Sequence, residues 1–181
     1  MRSFKLLLLL AFLESCMGKR HWTYEIIDAS GYSDDETKLS LNWRVERVGR
    51  HITGITGFVN FNYDVDNTTM IEVTIVRSVS GSERDFKPLP FGVPQKKFAE
   101  VKVMYDDLLY PIMQNCSNLP QIEGDLLWPW PRNIYIFDMC NFDNGNLPEI
   151  LADGFYRAVF TFTGEVNWNT SYTVNLKTQL I

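Results

Sequence analysis

Histidine and cysteine are scarce in this chain: two histidines, His21 and His51, and three cysteines, Cys16, Cys116 and Cys140, stand among 181 residues. So few imidazoles and thiols leave little from which to build a nucleophile–base pair, and no Cys or His lies at metal-ligand spacing beside another. The Gly-x-Ser-x-Gly elbow, the phosphate-binding glycine loop and the His-Glu-x-x-His helix are all missing. Asp34-Asp35 and Asp106-Asp107 are adjacent pairs whose carboxylates project to different sides, so they read as solvated charges. The sequence therefore predicts no catalytic residue, no metal and no cofactor. Two distant carboxylates brought together by folding are the one catalytic arrangement left open. A surplus of positive charge is also lacking. The formal net charge is −5, which argues against nucleic acid and anionic membranes as electrostatic partners.

Long apolar runs are confined to the start. Met1-Arg2-Ser3-Phe4-Lys5 is basic, Leu6 to Leu13 is unbroken apolar, and Ser15-Cys16-Met17-Gly18 brings small residues near a cleavage point. This predicts a secretory signal peptide over 1–18 and a single domain over 19–181. The run falls short of the about 20 residues a membrane-spanning helix needs. Cleavage leaves Cys116 and Cys140, an even pair in an oxidising compartment, expected to bridge. Three Asn-x-Ser/Thr triplets, at Asn67, Asn115 and Asn169, are candidate glycosylation sites in surface loops. The localisation expected is secreted and extracellular.

The remaining pattern is mostly period two. Leu39, Leu41, Trp43 and Val45 alternate with Ser40, Asn42, Arg44 and Glu46, which predicts a half-buried strand. Val59, Phe61 and Tyr63 form another, and Ile71, Val73 and Ile75 a third; the polar turn Asp64 to Thr69 predicts a hairpin between these two. Phe98, Val101, Tyr105, Leu108 and Ile112 change to spacings of three and four, one face of a helix. Pro94 and Gln95 mark its expected start, and Pro111 is expected to kink or end it. Its early lysines and later aspartates run against the helix dipole. Ile134 and Ile136 mark a strand leading to Cys140, and Asp143-Asn144-Gly145-Asn146 a turn. Tyr156, Ala158, Phe160 and Phe162 form one strand face, Tyr172, Val174 and Leu176 the next, joined over Gly164 to Thr170. The fold class expected is mostly β, a two-sheet cup or sandwich of six to eight antiparallel strands with one helix.

Aromatic residues make up 14% of the chain, so some can line a cavity rather than fill a core. Inward candidates are Trp43, Phe61, Ile71, Val73, Ile75, Tyr105, Leu108, Ile112, Ile136, Phe160, Phe162 and Tyr172. Trp128 and Trp130, in the loop Leu126-Leu127-Trp128-Pro129-Trp130-Pro131, either form a lid or membrane-touching lip or pack back onto the sheet. Arg157 falls on the face opposite Tyr156 and Phe160, as a surface charge or a partner for a nearby carboxylate.

Three stretches together carry a family resemblance. The first is Leu89-Pro90-Phe91-Gly92-Val93-Pro94, followed by the predicted helix and Tyr110-Pro111. The second is Cys116-Ser117-Asn118-Leu119-Pro120-Gln121, then Trp128-Pro129-Trp130-Pro131 and Ile134-Tyr135. The third is Asn146-Leu147-Pro148-Glu149-Ile150-Leu151, then Asp153-Gly154-Phe155-Tyr156-Arg157. In these the chain resembles the insect CheA/CheB chemosensory proteins, CheA more nearly, a group similar to the GM2-activator lipid-binding proteins. The resemblance covers the C-terminal half; the N-terminal strands match in pattern alone. It implies a β-cup of two sheets around an apolar cavity and a role near taste or pheromone-sensing neurons. Two departures stand out: two cysteines make fewer bridges than the GM2-activator has, and Trp128 stands where a cysteine is expected.

The functional expectation is a secreted, non-enzymatic binder or carrier of an apolar or amphipathic small molecule. That molecule would be a lipid, a hydrocarbon pheromone or a glycolipid, met near a sensory-neuron membrane or receptor. The alternative is an extracellular interaction module accessory to a membrane receptor, with a filled core and no ligand.

Overall fold

A computed structural model describes residues 21–48, 52–142 and 148–179. The expected signal peptide, His51 and the turn at Asp143 to Asn146 lie outside the described residues.

Among the described residues, nine strands form two antiparallel sheets. The larger runs β1 (Trp22–Ser33), β9 (Trp168–Thr178), β8 (Gly154–Thr163), β4 (Met70–Ser78), with the short β5 (Lys87–Pro88) and β6 (Val93–Lys97) both on the far edge of β4. The smaller runs β2 (Leu39–Val48), β3 (Ile52–Phe61), β7 (Asn133–Cys140). The alternating strands place one apolar face of each sheet inward. In the larger sheet, Ile71, Val73 and Ile75 lie opposite Phe162, Phe160 and Ala158, which lie opposite Trp168, Thr170 and Tyr172. The β8–β9 hairpin forms as the sequence predicts.

The hairpin expected between Val59–Tyr63 and Ile71–Ile75 does not form. β3 pairs with β2 and β7, while β4 pairs with β8 in the other sheet. Tyr63 and Val65 are buried and pin the connection into the core. Asp66 then accepts hydrogen bonds from the backbone N–H groups of Thr68 and Thr69, at 2.9 Å each. This side-chain turn redirects the chain across the sandwich. Strand alternation specifies a face, not a partner.

The helical segment 98–113, here α1, closes one side. It opens as a 3₁₀ turn (Phe98–Val101), passes through one α turn, widens to a π turn (Tyr105–Leu109) and ends as α (Tyr110–Met113). The expected start at Pro94 and Gln95 belongs to β6 instead. Pro111 neither ends the helix nor breaks it sharply. Proline lacks the N–H that an i−4 carbonyl needs, and the wide turn just before it, with the Tyr110 N–H donating to the Tyr105 carbonyl, absorbs the irregularity. The extra residue rotates the face, so Leu108 is 38% exposed while Leu109 packs against the core. The dipole conflict is offset locally: Lys102, 8% exposed, pairs with Asp106 one turn on.

A disulfide joins Cys116, just past α1, to Cys140 at the end of β7, with Cα atoms 5.3 Å apart. The strand edge is covered there. Asn118 accepts from the Ile136 N–H at 2.6 Å and donates to the Ile134 carbonyl at 2.9 Å, so its side chain stands in for a neighbouring strand.

Candidate ligand-binding site

The inward faces of the two sheets are fully buried toward one end and half-buried toward the other. At the closed end Phe162 and Trp168 stack with ring centroids 3.9 Å apart. Phe61 meets Tyr63, Trp130, Tyr135 and Trp168 in one aromatic cluster. Val166, Leu127 and Leu39 are fully buried here. Burial pushes the hydroxyls of Tyr63 and Tyr135 up to about 12 and that of Tyr105 higher still. The Tyr105 and Tyr135 hydroxyls donate to the Pro120 and Pro131 carbonyls, so both are satisfied, whereas the buried Trp130 indole N–H meets no acceptor among the described residues.

Further along the inward face the rows become half-buried. They are Val73–Phe160–Thr170, then Ile75–Ala158–Tyr172, then Arg77–Tyr156–Val174. Of these, Phe160, Ile75, Ala158, Tyr172, Arg77, Tyr156 and Val174 are all half-buried. On the β1 side of the same end Ile26 and Leu176 are closed off. The half-buried interior positions therefore fall on β4, β8 and β9.

Trp43 bridges the sheets above the closed end. It lies opposite Gly57 in the β2–β3 pair, and Phe137 lies opposite Gly57 on the other side. The indole crosses the glycine to touch Phe137, centroids 4.9 Å apart, and reaches Tyr172 of the other sheet at 5.7 Å. Tyr172 also contacts Phe160, at 6.2 Å. Its hydroxyl is held protonated well above the usual tyrosine range by burial. The Trp43 indole N–H has no acceptor. An apolar wall with few, fixed polar groups is the composition of a small-molecule site.

The residues expected to face inward divide into three groups. Phe61, Ile71, Val73, Tyr105, Ile112 and Phe162 are buried in packed core. Trp43, Ile75, Phe160 and Tyr172 come together at the half-buried rows. Leu108 and Ile136 are corrections. Ile136 is 56% exposed, because β7 turns Tyr135 and Phe137 inward instead. The run Ile134-Tyr135-Ile136-Phe137 is apolar on both faces, so its period is ambiguous. The larger aromatic face took the core, with the Tyr135 hydroxyl bonded.

Trp128 and Trp130 part company. Trp130 is buried against Phe61, Phe98, Tyr105 and Tyr135. Trp128 is 42% exposed. Asn67 and Asn115 are exposed, in a turn and just past α1. Asn169, expected in a loop, lies instead within β9, half-buried opposite Tyr32 and Thr161.

Sequence reasoning passed over Arg77 and Gly57, and named Tyr156 on the β8 face without counting it among the inward candidates. Arg77 continues the 71, 73, 75 alternation by one step, which was the available signal. Its Nη2 donates to the Asp153 carbonyl, its guanidinium lies 5.7 Å from the Tyr156 ring centroid, and its Nε–H is buried without an acceptor. Arg157, on the outer face, forms a two-point pair with Glu83 and lies over Phe86.

Asp35, Asp64, Asp66, Glu83 and Asp153 are held below the usual carboxylate range, chiefly by side-chain hydrogen bonds from Thr37, Arg132, Thr68, Arg157 and Thr178 respectively. Such groups stay ionised and suit surface turns and pairs, not proton donation. Among the described residues, no group of three or more His, Cys, Asp or Glu is placed to hold a metal ion, and no helix is long and apolar enough to cross a membrane.

A family model described as "Protein of unknown function (DUF1091)" matches residues 71–158. The match runs from the start of β4 into β8 and takes in α1, the disulfide, and Ile75, Arg77, Tyr156 and Ala158 of the half-buried rows, but stops short of Phe160. No curated protein matches the chain.

Proposed function

We propose that this chain is a secreted, non-enzymatic binder of an apolar or amphipathic small molecule, such as a lipid, a hydrocarbon pheromone or a glycolipid. The observation that carries the reading is the half-buried interior row Ile75–Ala158–Tyr172 with Phe160 and Trp43 beside it. Apolar side chains that face between two sheets and still meet solvent are costly unless something covers them. Each acyl CH₂ buried there contributes about 0.8 kcal/mol, so a medium-length chain supplies enough gross energy to offset the cost of association. The resemblance of the C-terminal half to the CheA/CheB proteins supplies the setting, chemosensation beside a sensory-neuron membrane or receptor.

Native mass spectrometry of the chain secreted from insect cells, before and after organic extraction, tests the reading. An extractable added mass of a few hundred daltons (roughly one small lipid) is expected. Phe160→Arg should fold and lose that mass. A bare polypeptide that also refuses offered fatty acid, hydrocarbon and glycolipid overturns the reading.

One observation favours the alternative of a receptor-accessory module. Phe58, Ile134 and Ile136 are 37%, 50% and 56% exposed. Phe58 and Ile136 are direct cross-strand partners on the outer face of the smaller sheet, with Ile134 next along β7. A protein partner would cover them, and Ile136→Lys would weaken its capture without touching ligand uptake.

A further inference from the structure

Arg77 sets a cation at the end of the apolar rows. It shares the inward face of β4 with Val73 and Ile75 and lies opposite Tyr156. Among the described residues Arg44, Arg47, Arg132 and Arg157 each pair with a carboxylate. Among the described residues Arg77 makes no such ion pair, nor does Arg84, which is exposed where Arg77 is half-buried. The one hydrogen bond of Arg77 among them goes to a neutral carbonyl, that of Asp153, whose own carboxylate accepts at Oδ1 from the backbone N–H and hydroxyl of Thr178 and feels the Arg77 charge only through space. An unpaired, half-buried guanidinium is the more notable in a chain of net charge −5, where surface carboxylates are plentiful. Tyr156 lies beside the guanidinium, and its own hydroxyl donates to the Ala152 carbonyl, at 2.8 Å. Successive inward residues on a strand are about 7 Å apart. The charge therefore stands one step beyond Ile75 and two beyond Val73.

We propose that the cup selects an amphiphile with a single anionic head, a long-chain carboxylate, whose head pairs with Arg77 and whose tail runs along Ile75 toward Phe160 and Tyr172. The inference rests on the binding reading above and names its ligand class. One guanidinium with donors to spare matches one carboxylate, since the planar fork of Arg fits the two carboxylate oxygens. A doubly charged phosphate head would leave one charge unmatched in a half-buried site, at a desolvation cost. The tail needs no further polar partner, because that stretch of wall is formed by Ile75, Ala158 and Phe160.

The test is calorimetric binding of laurate and of lauryl alcohol, equal in chain length, to the extracted secreted protein at neutral pH. Laurate should bind about tenfold more tightly, the worth of one charge-assisted hydrogen-bonded pair in a partly wet site. Arg77→Met should remove that advantage and leave the alcohol's affinity unchanged; Arg77→Lys should keep only part of it, because a point charge does not reproduce the fork. Equal affinities in the unmodified protein overturn the proposal while leaving the cup in place, and that comparison needs no variant to fold. A laurate preference that survives Arg77→Met, with circular dichroism unchanged, overturns it too. If neither ligand binds, the cup itself is wrong and this inference falls with it.

Discussion

At the scale of single residues, the glycine at position 57 explains how a tryptophan can bridge two sheets. A Cβ there would meet the Asn42 carbonyl oxygen and lie 2.7 Å from Trp43 Cε3. The absence of a side chain lets the indole lie across the central strand and reach Phe137, so the two aromatics cover the bare backbone between them. Gly57→Val should displace Trp43 and cost about 1–3 kcal/mol by overpacking. Urea unfolding would measure the loss, and the tryptophan emission of the folded variant should move to the red as the indole becomes wet. An unchanged midpoint would mean that Trp43 does not depend on the glycine. At the closed end the expected cost is larger. Phe162→Ala removes a ring stacked on Trp168 and should destabilise by about 3–5 kcal/mol. The same substitution at half-buried Phe160 should cost distinctly less, and that difference separates packed core from cup wall by measurement. None of this was visible in the alternation itself, which assigned Phe160 and Phe162 to the same face and could say no more. How far two sheets splay depends on the volumes that meet across the gap.

At the scale of elements, α1 and β7 are held by covalent and polar links rather than by sheet pairing alone. The Cys116–Cys140 bridge closes a 24-residue separation. Replacing both cysteines with alanine should lower stability by about 2–4 kcal/mol, with proteolysis expected first in the loop between them. Asn118→Ala should cost about 1 kcal/mol, because the Ile136 N–H and the Ile134 carbonyl would pass from a side-chain amide to water. Most elements could be read from the sequence: the alternating strands, the β8–β9 hairpin, the helix and the bridge. Three features could not, each for its own reason. The supposed β3–β4 hairpin failed because a polar turn between two alternating runs looks the same whether the chain doubles back or crosses to another sheet. Here the buried Tyr63 and Val65 decide for crossing. The inward face of β7 was misread because both of its faces are apolar. Leu108 was misplaced because a π turn adds a residue that no three–four spacing announces. The half-buried rows were legible as an apolar face, and Arg77 as the next step in its period. The charge was overlooked because strand reading follows apolar residues and stops at the first polar one.

At the scale of the whole molecule, the ionisable groups define a pH range over which the fold should hold. On the acid side, Asp64, Asp66, Glu83 and Asp153 have folded pKa values below their unfolded ones. The stability they contribute is fully present above the unfolded carboxylate range, about 4, and is lost as pH falls toward and through the depressed folded values. They are exposed, or half-buried in the case of Asp66, so each contribution is small and screened by salt, and the acid limit should be shallow. On the alkaline side the sign reverses. Tyr63 and Tyr135 are raised to about 12 by burial, against about 10 in the unfolded chain. Between those values the unfolded state has released the proton and the folded state has not, so stability falls as pH rises through the interval. These hydroxyls sit in the closed aromatic end, where burial opposes a tyrosinate and Glu165 and Asp66 add to its cost at Tyr63, so the alkaline limit should be steep and cooperative. Urea midpoints should therefore stay flat from about pH 5 to 10, decline gently below and collapse above. Tyrosinate absorbance should show the buried rings ionising together with the loss of near-ultraviolet dichroism, not before it. Tyr135→Phe removes one of the coupled protons and should make the alkaline collapse less steep while leaving the acid decline unchanged. If instead every tyrosine titrated smoothly near pH 10 in a protein that stayed folded, the aromatic end would be open to solvent, and the distinction between a packed end and an accessible one would be lost.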